Sequence, residues 1–196
     1  MRRFQLTGLL FLLFSLLFSV SANAQSAEKL YQEGKQLYDA KNYDAAFPKL
    51  KAAAEKGHKK AQYRLGRCYD KGHGTAEDDQ QAVAWYKKAA DQGHAKAIYE
   101  LGKCYKNGEG VEKDRKKAVE LFAKAAKMEN ADAELALGKA YLKGKGIAAD
   151  ERQAKKWLTR AVNNPKGGDD ILKELRKEAS EGDEDAKAIL ALTNKK

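Results

Sequence analysis

The side chains able to do chemistry in this sequence are few and widely set. Its histidines are His58, His73 and His94, and its cysteines are Cys68 and Cys104. A metal site needs several such ligands converging within about 2 Å of one ion, commonly at spacings such as H-x-x-x-H or C-x-x-C. Neither spacing occurs, so no metal is expected. No Ser-His-Asp or Cys-His nucleophile motif is arguable either. Gly72-His73-Gly74 looks superficially like a phosphate cradle. It lacks the preceding strand, the longer glycine spacing and the Lys-Ser/Thr pair that such loops use, so turn glycines are the better reading. Asp78, Asp114 and Asp150 recur singly and at equal intervals, as helix caps would, and not as a carboxylate set around one reacting atom. We therefore expect a binding protein without cofactor, not an enzyme.

The interval between those aspartates is the main signal. Ala61, Leu65, Gly66, Tyr69, Gly72, Gly74, Asp78, Ala82 and Ala89 recur as Ala97, Leu101, Gly102, Tyr105, Gly108, Gly110, Asp114, Ala118 and Ala125. They recur again as Ala133, Leu137, Gly138, Tyr141, Gly144, Gly146, Asp150, Ala154 and Ala161. Ungapped identity at nine positions in three copies marks a repeat architecture. Within a copy, Ala61, Leu65, Cys68 and Tyr69 form one apolar stripe at helical spacing, which defines a helix A. A glycine inside that helix costs about 1 kcal/mol against Ala, so the recurring Gly66 implies close helix approach. Gly72 and Gly74 suit a left-handed turn that ends helix A. Asp78 then suits the N-cap of a helix B carrying Ala82, Trp85, Tyr86 and Ala89. Gln92-Gly93-His94 turns the chain into the next helix A. One hairpin cannot bury its own stripe, so stacked neighbours must share a core. The fold class is all-α, a short α-solenoid.

The pattern A-x-x-x-L-G-x-x-Y-x-x-G-x-G-x-x-x-D-x-x-x-A-x-x-W/L-x-x-x-A-A-x-x-G-H resembles Sel-one-like repeats, relatives of tetratricopeptide repeats. Three full copies, Ala61–Gly93, Ala97–Glu129 and Ala133–Val162, match it, the closing Gly-His being present only in the first. Residues 27–58 resemble a shorter, tetratricopeptide-like first unit with Tyr31, Gly34, Tyr38, Tyr43 and Ala46 but without the G-x-G loop. Pro48 there departs from the pattern and predicts a kink or a late helix start. After a loop at Asn163-Asn164-Pro165-Lys166-Gly167-Gly168, a helix over Asp169–Ser180 and a last segment Asp185–Leu192 make residues 169–193 a capping element with a wetter outer face. The resemblance implies a right-handed αα-superhelix and an adaptor for protein complexes. A few relatives have been credited with binding or hydrolysing cell-wall or β-lactam compounds, which leaves a hydrolase as a minor alternative.

Cys68 and Cys104 stand one period apart. Equivalent positions on successive helices A lie roughly 8–10 Å apart, whereas a disulfide wants Cα atoms within about 7 Å. Two readings stay open, small core residues or a bridge in an oxidising compartment. Some members of the family carry disulfides joining the two helices of one repeat, but helix B here has no cysteine.

Residues 1–24 have the form of an export signal: basic Arg2-Arg3, an apolar run from Leu9 to Val20, and Ala22-Asn23-Ala24 as a cleavage site. Twelve helical residues span roughly 18 Å, short of a hydrocarbon core of about 30 Å. The expectation is a periplasmic or secreted protein with no transmembrane segment after cleavage. Removing that segment takes away two Arg and no acid, leaving 36 basic and 28 acidic side chains, a balance of +8. Export makes nucleic acid a poor partner for this charge. A protein or peptide is expected, with a cell-wall glycan or membrane surface as the alternative. We expect a monomer.

One face of helix A remains to receive that partner. Tyr63, Arg67 and Asp70 lie opposite the core stripe, followed by Tyr99, Lys103 and Lys106 in the second copy and by Leu135, Lys139 and Leu142 in the third. The resemblance implies that this face lines a concave groove. Paired tyrosines beside the basic row Arg67, Lys103 and Lys139 suit an extended peptide or an acidic chain end.

Overall fold

The computed structural model describes residues 23–194, which are helices joined by short turns. The expected export signal falls, except for its last two residues, outside the described residues. The helices are α1 (23–39), α2 (Tyr43–Glu55), α3 (Lys59–Lys71), α4 (Asp79–Asp91), α5 (Ala95–Asn107), α6 (Arg115–Lys127), α7 (Ala131–Lys143), α8 (Glu151–Val162), α9 (Gly168–Ser180) and α10 (Glu184–Leu192). They fall into two compact units, one ending at Asp78 and one beginning at Asp79. The fold class is the expected one, an all-α solenoid of two-helix repeats.

Each odd-numbered helix from α3 to α7 buries the expected stripe. Ala61, Leu65 and Cys68 are wholly buried on α3, as are Ala97 and Ile98 on α5 and Ala133 on α7. On the even-numbered helices Tyr86, Phe122 and Leu158 are almost wholly buried, and Trp85 and Trp157 are buried beside them. Burying each such side chain stabilises by about 1.5–3 kcal/mol, which alanine-rich neighbours could not supply alone. Cys68 and Cys104 are both buried thiols, not a disulfide. Desolvation pushes the Cys68 thiol up to about 12, which keeps it protonated and inert.

The glycines divide into three working positions. In mid-helix, a Cβ on Gly34 would meet Leu50 Cγ at 2.9 Å, one on Gly102 would meet Phe122 at 2.7 Å, and one on Gly138 would meet Leu158 Cγ at 2.6 Å. Close helix approach is thus their reason, as the sequence implied. The first loop glycine of each copy, Gly72, Gly108 or Gly144, ends its helix in the left-handed conformation and returns its N–H to the carbonyl four residues earlier. The second loop glycine does something the sequence did not show. A Cβ on Gly74 would sit 2.3 Å from the Tyr43 carbonyl oxygen, on Gly110 2.2 Å from that of Asp79, and on Gly146 2.3 Å from that of Arg115. Each loop therefore lies flat on the first residue of the preceding helix B, backbone against backbone. The turn is then tied down from behind. The N–H groups of Asp78, Asp114 and Asp150 donate to the carbonyls of Tyr69, Tyr105 and Tyr141, which accounts for the fixed nine-residue Tyr–Asp spacing.

Caps follow the same period. Asp114 and Asp150 accept from the N–H groups of Lys117 and Gln153 at 2.9 Å, as expected for the start of a helix B. The histidines of the inter-repeat turns also prove to be caps. His58 Nδ1 accepts from Ala61 N–H and His94 Nδ1 from Ala97 N–H, both at 3.2 Å, while Asn130 does the same for Ala133 at 2.8 Å. An Nδ1 that accepts leaves the proton on Nε2, and His58 Nε2–H donates to Glu28 at 2.8 Å. Replacing His94 by Ala should remove about 1 kcal/mol and lower the melting midpoint by about 2–4 °C. His94→Asn should restore it in the same calorimetric scan, since Asn130 already fills that role one copy later.

One expectation fails, and two contacts add to what the sequence implied. α2 runs unbroken through Pro48 from an Asn42 cap, so the proline marks no late start; only the N–H it lacks goes missing from the helix ladder. His73, taken as a loop residue, stacks on Tyr43 with ring centroids 3.8 Å apart and bonds the Tyr38 hydroxyl through Nδ1 at 2.9 Å. The copy-one loop is thereby fastened to the shorter first repeat. At the other end, Ile171, Leu172 and Leu175 of α9 and Ile189 and Leu190 of α10 join a core with Leu158 and Val162 of α8.

Candidate partner-binding site

The side chains put forward as a binding face are distributed over both units. Tyr63, Arg67 and Asp70 stand half-buried on α3, in the first unit. In the second unit, Tyr99 and Lys106 of α5 and Lys139 of α7 line one groove floored by Phe122 and Val119 of α6, a cavity of about 460 Å³. Lys103 is not part of that lining. It pairs with Glu100 at 2.8 Å and lies over the Tyr99 ring at 5.7 Å.

The groove gains its charge from residues the binding face did not include. Lys113 and Arg115 reach it from the turn and first residue of α6, and Lys143 and Lys145 from the end of α7 and its loop. Six cations therefore face a single lining carboxylate, Asp132. Lys143 pairs with Asp185 on the cap. Among the described residues the other five form no ion pair. Desolvation, with repulsion from Lys103 and Lys139, holds the Lys106 ammonium below the ordinary lysine range, and Glu109 opposes this in part. Burial pushes the Tyr99 phenol up to about 12, so it stands in the groove as a neutral hydrogen-bonding ring.

A comparison of copies carries the signal for these residues. The positions of Lys106, Lys113, Arg115, Lys143 and Lys145 are filled one period earlier by Asp70, Glu77, Asp79, Asn107 and Glu109. Positions shared by all copies serve the fold, whereas positions that change charge between copies are free to serve recognition. Nothing in this lining pairs a nucleophile with a base. What it can do is hold an anion above a buried apolar floor, through charge-assisted hydrogen bonds from the lysines and Arg115.

Tandem two-helix hairpins, capped in register and sealed by a C-terminal helix pair, define a solenoid repeat protein. The chain belongs to the Sel1 repeat family: the Sel1 repeat model matches residues 59–94, 95–130 and 131–165, more than half of the sequence. Members of this family are generally protein–protein interaction modules. Among solved structures, a Sel1 repeat protein from Oxalobacter formigenes is 30% identical with a TM-score of 0.66, over 82% of this chain and 74% of that one. The protein c5321, described as a protective antigen of uropathogenic Escherichia coli, is 29% identical with a TM-score of 0.71. That similarity covers 91% of this chain and 40% of that one. Helicobacter pylori cysteine rich protein B is 27% identical with a TM-score of 0.50, over 72% of this chain and 94% of that one. Among curated protein sequences none matches this chain.

Proposed function

We propose that this chain is an exported, non-enzymatic adaptor that holds an acidic, extended segment of a partner protein in the groove between α5 and α7. The observation that carries this reading is the lining itself, six cations and one carboxylate over the apolar floor of Phe122 and Val119. Burial disfavours the charged form of Lys106, and an anion settling beside it offsets that cost, so an acidic ligand is favoured over a neutral one. Arg2-Arg3, the apolar run and the A-x-A site support export, as does the likeness to a protein described as an antigen.

Lys106→Glu with Lys139→Glu should weaken binding of a fluorescent acidic peptide at least tenfold, about 1.4 kcal/mol, with unchanged helicity by circular dichroism. Equal affinity for wild type and the double variant would sink the assignment. A pH arm follows from the Lys106 shift. Its charged form is disfavoured in the free protein, so it loses its proton at lower pH than an ordinary lysine, and a bound anion must raise that value. Affinity should therefore be constant near neutrality and fall as pH rises through the range just below ordinary lysine titration. The Lys106→Gln variant should lack that early fall. The same cations would also meet an anionic glycan or lipid surface, so co-sedimentation with cell-wall material or anionic vesicles distinguishes that reading.

A further inference from the structure

The cationic groove is half of a longer feature. On the other side of α7 a second trough of about 660 Å³ runs from the start of α7 to α9. Asp132, Leu135 and Lys139, at i, i+3 and i+7 on α7, line both, so that helix is a low ridge between two adjoining depressions. The second trough has an apolar floor of Met128, Leu135, Ile171 and Leu175; Met128 is 40% exposed, the only large apolar side chain so exposed among the described residues. Its charge is opposite to that of the first. Asp170, Glu174 and Glu178 stand one helical turn apart along α9, and among the described residues none of them forms an ion pair. The cations on this side are Lys96, Lys139 and Lys166, of which Lys166 is engaged by Glu129 at 2.9 Å.

We propose that the two troughs form one polarised track that seats a dipolar peptide by the order of its charges. Its acidic end lies over Lys106 and Lys145, an apolar residue sits at Leu135 and Met128, and its basic end lies over Asp170 and Glu174. The inference rests on the groove reading and adds the partner's second end and its orientation. Successive helices of such a stack lie roughly 8–10 Å apart, so crossing from α5 over α7 to α9 takes about six extended residues. Reversing such a ligand places like charges against both ends, and repulsion supplies the selectivity that attraction alone would not.

The test uses the whole chain and three fluorescent decapeptides read by anisotropy at low salt. One carries four acidic residues, a central Leu and three lysines; one has those lysines replaced by Ser; one has them replaced by Glu. The dipolar peptide should bind wild type about tenfold tighter than either of the others, the sum of a few exposed ion pairs. Asp170→Lys with Glu174→Lys should remove that advantage without weakening the serine peptide. Lys106→Glu with Lys145→Glu should weaken both. Equal binding of the dipolar and serine peptides, or of the dipolar and all-acidic ones, overturns the polarised track while leaving the cationic groove standing. If no peptide binds wild type, the groove reading falls with it. If the chain self-associates in sedimentation and the Asp170→Lys, Glu174→Lys variant disperses it, the occupant is a second copy and the peptide proposal is overturned.

Discussion

Gly146→Ala is expected to lower the melting midpoint by about 5–15 °C, while Gly93→Ala lowers it by only about 2–4 °C. Both glycines have left-handed backbones, with φ of 82° and 72°, so both substitutions carry the conformational cost of about 1 kcal/mol that a Cβ meets there. Their surroundings differ. Nothing lies within 4 Å of a Cβ on Gly93, whereas one on Gly146 would stand 2.3 Å from the Arg115 carbonyl oxygen and 2.7 Å from its carbon. A peptide group at the start of α6 cannot turn aside as a flexible side chain would, so the loop must lift from the helix it rests on. Overpacking of this kind adds about 1–3 kcal/mol. Differential scanning calorimetry of the two variants decides it. Equal shifts would mean that the loop swings away freely and that the backbone junction stabilises nothing.

The second large effect belongs to Glu134. This carboxylate is 1% exposed and accepts from Arg160 Nε at 3.0 Å, Arg160 Nη2 at 2.8 Å and Asn164 Nδ2 at 2.9 Å. Asn164 also donates to the Glu129 carbonyl, which binds the turn after α8 to the turn before α7. Arg160→Ala should destabilise by about 2–4 kcal/mol, because the carboxylate stays buried with only the asparagine to answer it. The matching positions one and two periods earlier are Ile98 and Gln62, so the site tolerates an apolar side chain of this size. Glu134→Ile combined with Arg160→Ala should therefore recover most of the loss in urea unfolding. A double variant as unstable as the single one would show that Arg160 acts through its packing on Trp157, whose ring centre lies 5.0 Å away.

The fold was legible because its rules repeat. Leu101, Gly102 and Tyr105 each obey a constraint that Leu137, Gly138 and Tyr141 obey again, and three copies separate constraint from chance. Even the mid-helix glycines could be explained in advance, since a mid-helix glycine without a packing reason would be selected against. The second loop glycine could not. Its residue type fits any left-handed turn, and only coordinates show the carbonyl beneath it. The histidine caps were hidden for a similar reason, since imidazole is an uncommon acceptor at that position and only Asn130 and Asp183 fill it conventionally before α7 and α10. The groove was half visible. Tyr99, Lys106 and Lys139 follow from helix periodicity, but Lys113, Arg115, Lys143 and Lys145 converge from turns and helix ends. Periodicity on one helix says nothing about which neighbouring loop arrives there.

The contact between each second loop glycine and the opening peptide group of the preceding helix B also bears on how such a chain can grow. Both partners recur once per copy and neither depends on a side chain that varies. A block of 36 residues duplicated in frame would find a ready-made seat on each side. A shorter insertion between the two partners of a seat, as between Asp79 and Gly110, would pull the glycine off the peptide group it rests on. Array length is thus free to drift in whole copies, while the charges lining each groove diverge independently.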